Sequence, residues 1–178
     1  MSSEHHRLAD NLAAPVRIAL TVLAINAKSR LARRGIAGKR PPPLVAVITS
    51  PYAEARAAAI AVIARHLEAP VQRVDWTRLL SHYSHETELN LERMFSAAEH
   101  AGVFLLFDES DALFDPLGRP IGNDAREHEA NNAALLERIA RFDGPLAFTA
   151  SHRRHLDARL LAIAESVIDL TGAASSRG

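Results

Sequence analysis

The sequence contains no cysteine among its 178 residues, and it has no excess of charge of either sign. The absence of cysteine excludes disulfide bonds, thiolate metal ligands and cysteine nucleophiles. Because 21 Lys and Arg residues balance 21 Asp and Glu residues, net charge gives no reason to expect nucleic acid or a membrane as the partner. A cytosolic setting is compatible with this composition, and we expect a cytoplasmic protein.

Long apolar runs are also lacking. The longest candidate, from Val16 to Ala27, is interrupted by Arg17 and Asn26 and is shorter than the roughly 20 residues that a bilayer requires. Acidic residues precede it, whereas a signal peptide begins with basic ones. We therefore expect a soluble protein with no membrane segment.

Short apolar runs alternate with helical patterns after residue 43. The runs predict strands, and the 3–4 spacing of apolar residues between them predicts helices. Such alternation favours an α/β fold, in which helices cover both faces of a mostly parallel sheet. The predicted strands cover 44–49, 71–75, 103–107, 146–150 and 167–170, and the predicted helices cover 53–67, 84–100, 124–141 and 156–164.

The first 43 residues are expected to form a helix and a proline-rich linker, ahead of a core over 44–170 and a tail over 171–178. Pro15 suits the first turn of a helix that continues to about residue 33. Its apolar face is predicted to pack either on the core of its own chain or on another chain, and consists of Val16, Leu20, Leu23 and Ala27. The linker runs from Gly35 to Pro43.

Two carboxylates, Asp108 and Glu109, directly follow the buried strand that ends at Phe107. Ligands bind to open α/β sheets at the carboxyl ends of the strands, so these acids stand where a ligand is expected. In a nucleotide site the first would hold Mg²⁺ and the second would polarise a water molecule. The alternative is a solvated turn whose acids complement a helix dipole.

The surrounding residues resemble the AAA+ ATPase family. A tyrosine at Tyr83, the helix start His85-Glu86-Thr87-Glu88 and the segment Leu105-Leu106-Phe107-Asp108-Glu109-Ser110-Asp111-Ala112-Leu113 occur in that family's order. The resemblance covers about 44–170 and implies a three-layer, P-loop NTPase-like parallel sheet. It further implies that Asp108 holds Mg²⁺, that Glu109 and Ser151 are the catalytic and sensor positions, and that Tyr83 contacts a partner.

The phosphate loop departs from the family pattern. The family's G-x-x-x-x-G-K-[ST] is replaced by Ser50-Pro51-Tyr52-Ala53-Glu54-Ala55-Arg56-Ala57, in which Pro51 matches and Arg56 takes the lysine position. Non-glycine residues in left-handed conformations cost roughly 1–2 kcal/mol each, so we expect this loop to take another shape. Ala57 lacks the hydroxyl group that would ligate Mg²⁺.

Other family elements are also replaced. Ala162 and Ile163 lie where arginine fingers are expected, and the eight residues after Leu170 are too few for the family's helical lid. The sequence therefore predicts a degenerate, non-catalytic AAA+-like module that acts through a protein partner or self-assembly, with weak or no binding of ATP and Mg²⁺ around Pro51, Arg56 and Asp108. The alternative is a slow but genuine AAA+ ATPase that works in an oligomer.

Two further patterns have ordinary explanations. The pairs His82 with His85 and His152 with His155 have metal-ligand spacing, but neither has a third ligand nearby in sequence. A basic stretch from Lys28 to Arg40 is expected to be a solvated linker rather than a nucleic-acid site.

Overall fold

The computed structural model describes residues 12–33, 43–76, 79, 84–114 and 123–171. Helices and strands alternate along these ranges, as the sequence predicts. In chain order they are α1 (Ala14–Ala32), β1 (Leu44–Thr49), α2 (Ala53–Leu67), β2 (Val71–Arg73), α3 (Ser84–Ala101), β3 (Phe104–Phe107), α4 (Asp111–Phe114), α5 (Asn123–Arg141), β4 (Pro145–Ala150), a 3₁₀ turn (Arg153–His155), α6 (Ala158–Ile163) and β5 (Ser166–Asp169).

The five strands form one parallel sheet in the order β2-β3-β4-β1-β5. The central strand β4 pairs with β3 on one side and with β1 on the other. The carboxyl ends of β1, β3 and β4 therefore lie side by side. This arrangement confirms the predicted parallel α/β sheet and brings the loops after these three strands together.

Alternate residues of each strand face two different hydrophobic cores. On β1, Leu44, Ala46 and Ile48 belong to the core beneath α1 and α2. Val45 and Val47 belong to the core beneath α3 and α5. Because both faces are covered, the strands consist of continuous apolar runs rather than apolar and polar residues in alternation.

Helix α1 packs on the core of its own chain. Leu20, Leu23 and Ala27 are buried in the cluster that also contains residues of α2 and β1. The Lys28 ammonium group lies 2.5 Å from the Glu68 carboxylate at the end of α2, and this contact adds a polar link between the helices. Of the two alternatives for this apolar face, the structure supports packing on the same chain.

Some predicted boundaries were wrong. Strand β2 ends at Arg73 rather than at residue 75. Helix α6 begins at Ala158, because a 3₁₀ turn precedes it and the Asp157 carboxylate caps it by accepting a hydrogen bond from the Arg159 N–H at 2.7 Å. The short helix α4 was not predicted.

Several predicted features lie outside the described residues. They are most of the linker over 35–43, Tyr83 and His82, and most of the tail. Among the helices that are described, none is long and apolar enough to cross a membrane.

Candidate functional site

The candidate site is the sheet edge where β1, β3 and β4 end. It contains the connection from β1 to α2, the acidic turn after β3 and the turn after β4. The Ser50 N–H donates to the Ala150 carbonyl at 3.0 Å, and the Ser110 N–H donates to the Thr149 carbonyl at 2.8 Å. These backbone bonds tie the turns after β1 and β3 to the end of β4, where the third turn begins.

The connection from β1 to α2 is short and closed by its own hydrogen bonds. The Tyr52 N–H donates to Ser50 Oγ at 3.2 Å, and the Tyr52 carbonyl accepts from the N–H groups of Ala55 and Arg56. Residues 50–57, all of which are described, contain no positive φ angle. The connection therefore needs no glycine, and Pro51 lies in it as an exposed turn residue.

Arg56 points back into the protein. The residue is only 8% exposed, and Nη1 donates to the Ser50 carbonyl at 2.7 Å. Its Nε is buried without a hydrogen-bond partner among the described residues. The guanidinium group thus holds the backbone of its own loop.

Both carboxylate oxygens of Asp108 accept hydrogen bonds from residues of the same chain. Oδ2 accepts from Arg73 Nη1 at 2.6 Å, and Oδ1 accepts from the Thr149 hydroxyl group and from the Glu109 N–H. Arg73 comes from β2, the edge strand beside β3. An arginine therefore balances the charge of Asp108.

Glu109 has an unusual backbone conformation. Its φ of 54° lies in the left-handed region, which costs a non-glycine residue roughly 1–2 kcal/mol. Its N–H donates to Thr149 Oγ1 at 3.1 Å, and this bond helps to hold the turn. Its side chain is exposed, and no described residue donates a hydrogen bond to its carboxylate.

Asp111, Ser151 and His155 form a hydrogen-bonded cluster that links the turns after β3 and β4. Both oxygens of Asp111 accept from the Ser151 N–H, and Oδ1 also accepts from Ser151 Oγ at 2.7 Å and from His155 Nδ1 at 2.8 Å. Burial opposes ionisation of Asp111, but the hydrogen bonds from Ser151 and His155 outweigh it and hold the pKa of this carboxyl group below its usual value. Ser151, the predicted sensor residue, is thus engaged with a carboxylate of its own chain.

The remaining candidate residues form no metal centre within the described part of the chain. The rings of His152 and His155 meet edge to face with their centroids 5.3 Å apart. No group of three metal-ligating side chains occurs within the described part of the chain. Ala162 and Ile163 are exposed on α6.

Arg73 and Thr149 were missed by the sequence reasoning. Thr149 is the only polar residue in the apolar run of β4, and this position was a usable signal. Arg73 gave no such signal, because its proximity to Asp108 depends on the lateral order of β2 and β3.

Comparison with known protein families identifies the family to which this chain belongs. Residues 55–171 match the family described as "ATPase family associated with various cellular activities (AAA)", a match that covers more than half of the chain. The chain belongs to this AAA family. No curated protein matches it in a direct sequence comparison.

Solved structures support the same fold. One chain of the E. coli MS115-1 HORMA:CdnC:Trip13 complex superposes with a TM-score of 0.66 at 14% identity, covering 96% of this chain and 67% of that one. The FIGL-1 AAA domain superposes with a TM-score of 0.64 at 14% identity, covering 90% of this chain and 53% of that one. This chain thus spans about half to two thirds of these neighbours.

Proposed function

We propose that this chain is a non-catalytic AAA-type module that works through contacts with proteins. The observation that carries the proposal is the bond from Arg56 to the Ser50 carbonyl. A phosphate-binding loop offers its N–H groups and a basic side chain to the ligand. Here the basic side chain is buried and bonded to the loop itself.

The groups at the sheet edge do not fit ATP with Mg²⁺. Asp108 is paired with Arg73, and Ala57 offers no hydroxyl group to a metal. The Glu54 carboxylate lies in the first turn of α2, where it adds negative charge next to the position of an anionic ligand. For these reasons we derive no hydrolytic step at this edge.

A nucleotide titration tests the proposal. A fluorescent ATP analogue is titrated into the protein with and without Mg²⁺, and no saturable binding in the micromolar range is expected in either case. The comparison variant carries Ala53→Gly, Ala55→Gly, Arg56→Lys and Ala57→Thr, which restores the second glycine, the lysine and the hydroxyl residue of the family loop but leaves Ser50 at the position of the first glycine. Micromolar binding by the unaltered protein that depends on Mg²⁺ would overturn the proposal.

The second candidate is a slow ATPase that is active in an oligomer. The exposed carboxylate of Glu109 favours it, because this group faces the sheet edge without a partner among the described residues. A water-polarising carboxylate must be free in this way. Hydrolysis that appears only at high protein concentration and is abolished by Glu109→Gln would favour this candidate.

A further inference from the structure

The outer side of helix α1 carries an exposed, uncharged stripe. Its positions recur at alternating spacings of three and four residues, and they are Pro15, Ile18, Val22, Ile25, Ser29 and Ala32. Ile18, Val22 and Ile25 are 63%, 51% and 52% exposed. These three large apolar side chains form the middle of a stripe that runs the length of the helix.

The buried side of α1 lies opposite this stripe. Leu20, Leu23 and Ala27 pack in the core of the chain. Because successive residues of a helix are rotated by about 100°, the centre of the stripe lies about half a turn away from these buried positions. A helix that is apolar on two opposite sides is typical of one packed between two partners. The core of this chain is one of them.

The spacing of the stripe is that of a surface which pairs with a second helix. Alternation of three and four residues corresponds to the a and d positions of a heptad, where the side chains of two helices interlock. A depression of about 320 Å³ adjoins the stripe and can receive such a side chain; it is lined by Ala14, Arg17, Ile18, Thr21 and Val22. A helix that binds a membrane surface instead presents a broad apolar face, often with Trp or Phe, and α1 contains neither. The stripe therefore fits a helix better than a bilayer.

Basic residues border the stripe. Helix α1 contains no acidic residue. In the heptad that places Val22 at a, Lys28 takes the g position and Arg33, directly after the helix, takes the e position. Lys28 contacts Glu68, but its side chain is still 47% exposed. These flanks favour a partner helix with acidic residues beside its apolar positions, whereas a second α1 would place bases against bases.

We propose that the outer stripe of α1 binds an amphipathic helix of a different protein, one with apolar residues at the same spacing and with Asp or Glu beside them. The apolar side chains supply the contact, and the opposite charges select the partner. The stripe contains no residue of the candidate site at the sheet edge. This inference rests on the proposed role in protein contacts, and it names the surface and the chemistry of the partner.

A synthetic peptide is the probe. It has about three heptads with leucine at a and d and glutamate at e and g, and its matched control has lysine at e and g. Each peptide carries a fluorescent label, is kept at trace concentration and is titrated with the full chain while its anisotropy is measured. We expect the glutamate peptide to bind at least about fivefold more tightly than the lysine peptide, because at least one exposed charge pair changes sign. Its binding should weaken as salt rises.

Substitutions at exposed apolar positions locate the contact. Val22→Lys lies at the centre of the stripe and should raise the dissociation constant of the glutamate peptide by about tenfold or more, because it removes an apolar contact although it adds a base. Ile25→Gln, which changes no charge, should weaken binding in the same direction. Ile163→Lys on α6 is the matched control, at a position that is 38% exposed, and should leave binding unchanged. All three variants should unfold at the same urea concentration as the unaltered protein.

Several outcomes would contradict the proposal. Equal binding of the two peptides, binding of neither, or equal effects of Val22→Lys and Ile163→Lys would each show that the stripe does not select an acidic helix. A dimer of the full chain that Ile25→Gln dissociates would assign the stripe to a second copy. Pelleting with phosphatidylcholine–phosphatidylserine vesicles that Ile25→Gln abolishes would assign it to a lipid surface. Binding of ATP with Mg²⁺ would instead overturn the non-catalytic assignment and leave the peptide result unchanged, so the two failures are distinguishable.

Discussion

The Arg73 guanidinium group lies 2.6 Å from the Asp108 carboxylate and joins the edge strand β2 to the acidic turn after β3. The two residues are 35 positions apart in sequence, and the parallel pairing of Arg73 with Leu106 brings them together. The arginine side chain is 64% exposed. The pair therefore neutralises Asp108 without burying the cation.

Replacing Arg73 by glutamine should make Asp108 more accessible to a divalent cation. Because an exposed ion pair contributes at most about 1 kcal/mol, we expect Mn²⁺ to bind up to about fivefold more tightly, with little change in stability. Electron paramagnetic resonance of free Mn²⁺ measures this directly. Adding Asp108→Asn should remove the gain, and a gain that persists would place the cation elsewhere.

The purified protein should release no phosphate from ATP in the presence of Mg²⁺. The reason is that Arg56 and Asp108 are both engaged within the chain. A coupled phosphate-release assay should give the same background rate for the unaltered protein and for Glu109→Gln. A rate that falls in the Glu109→Gln variant would show that this carboxylate polarises water.

Arg56→Met should destabilise the protein. The change removes a charged donor from the buried Ser50 carbonyl, and we expect a loss of roughly 1–3 kcal/mol in the free energy of unfolding by urea. Arg65→Met on the exposed side of the same helix is the control, with an expected change within about 0.5 kcal/mol. Equal stability of both variants would mean that Arg56 does not anchor the loop.

Asp111→Asn should cost stability near neutral pH but not in acid. The hydrogen bonds from Ser151 and His155 favour the carboxylate in the folded state, so its contribution is complete above the unfolded pKa of about 3.8 and is lost as pH falls through the lower folded pKa. We expect a deficit of roughly 1–3 kcal/mol at pH 7 that shrinks below pH 4. Urea unfolding at both pH values checks this, and a deficit independent of pH would contradict it.

Two substitutions on α1 separate its buried and exposed sides. Leu20→Ala should cost about 2–5 kcal/mol, because it leaves a cavity in the core. Val22→Ala should change stability by no more than about 0.5 kcal/mol, because its side chain is half exposed. Removing residues 1–40 should likewise unfold the protein, and a truncated chain that stays folded would show that α1 is dispensable to the core.

The sequence predicted the sheet and most helix boundaries well, because turn-forming residues mark where several strands and helices begin or end. Strand β1 and helix α2 have the predicted bounds, because a six-residue apolar run lies between Pro43 and the Ser50-Pro51 turn. Gly102 follows the end of α3 and has a φ of 69°, in the left-handed region that the residue after a helix often adopts. Local patterns of this kind depend only on neighbours in sequence.

The contacts of the candidate site depend on information that local patterns lack. The sequence assigns Arg56 to the lysine position of the family loop, but the direction of its side chain depends on the space beneath α2. The pairing of Arg73 with Asp108 requires the strand order, and the cluster of Asp111 with Ser151 and His155 requires β3 and β4 to be neighbours. Residue roles in catalysis and binding stay predictions.

The left-handed backbone of Glu109 lowers the stability of the folded chain. Glycine adopts φ near 54° without steric cost, so Glu109→Gly would relax the backbone and remove a side chain that makes no bond with the described residues. The folded chain gives up free energy to keep a carboxylate at that point. The turn also fixes the point on the backbone from which this carboxylate extends toward solvent.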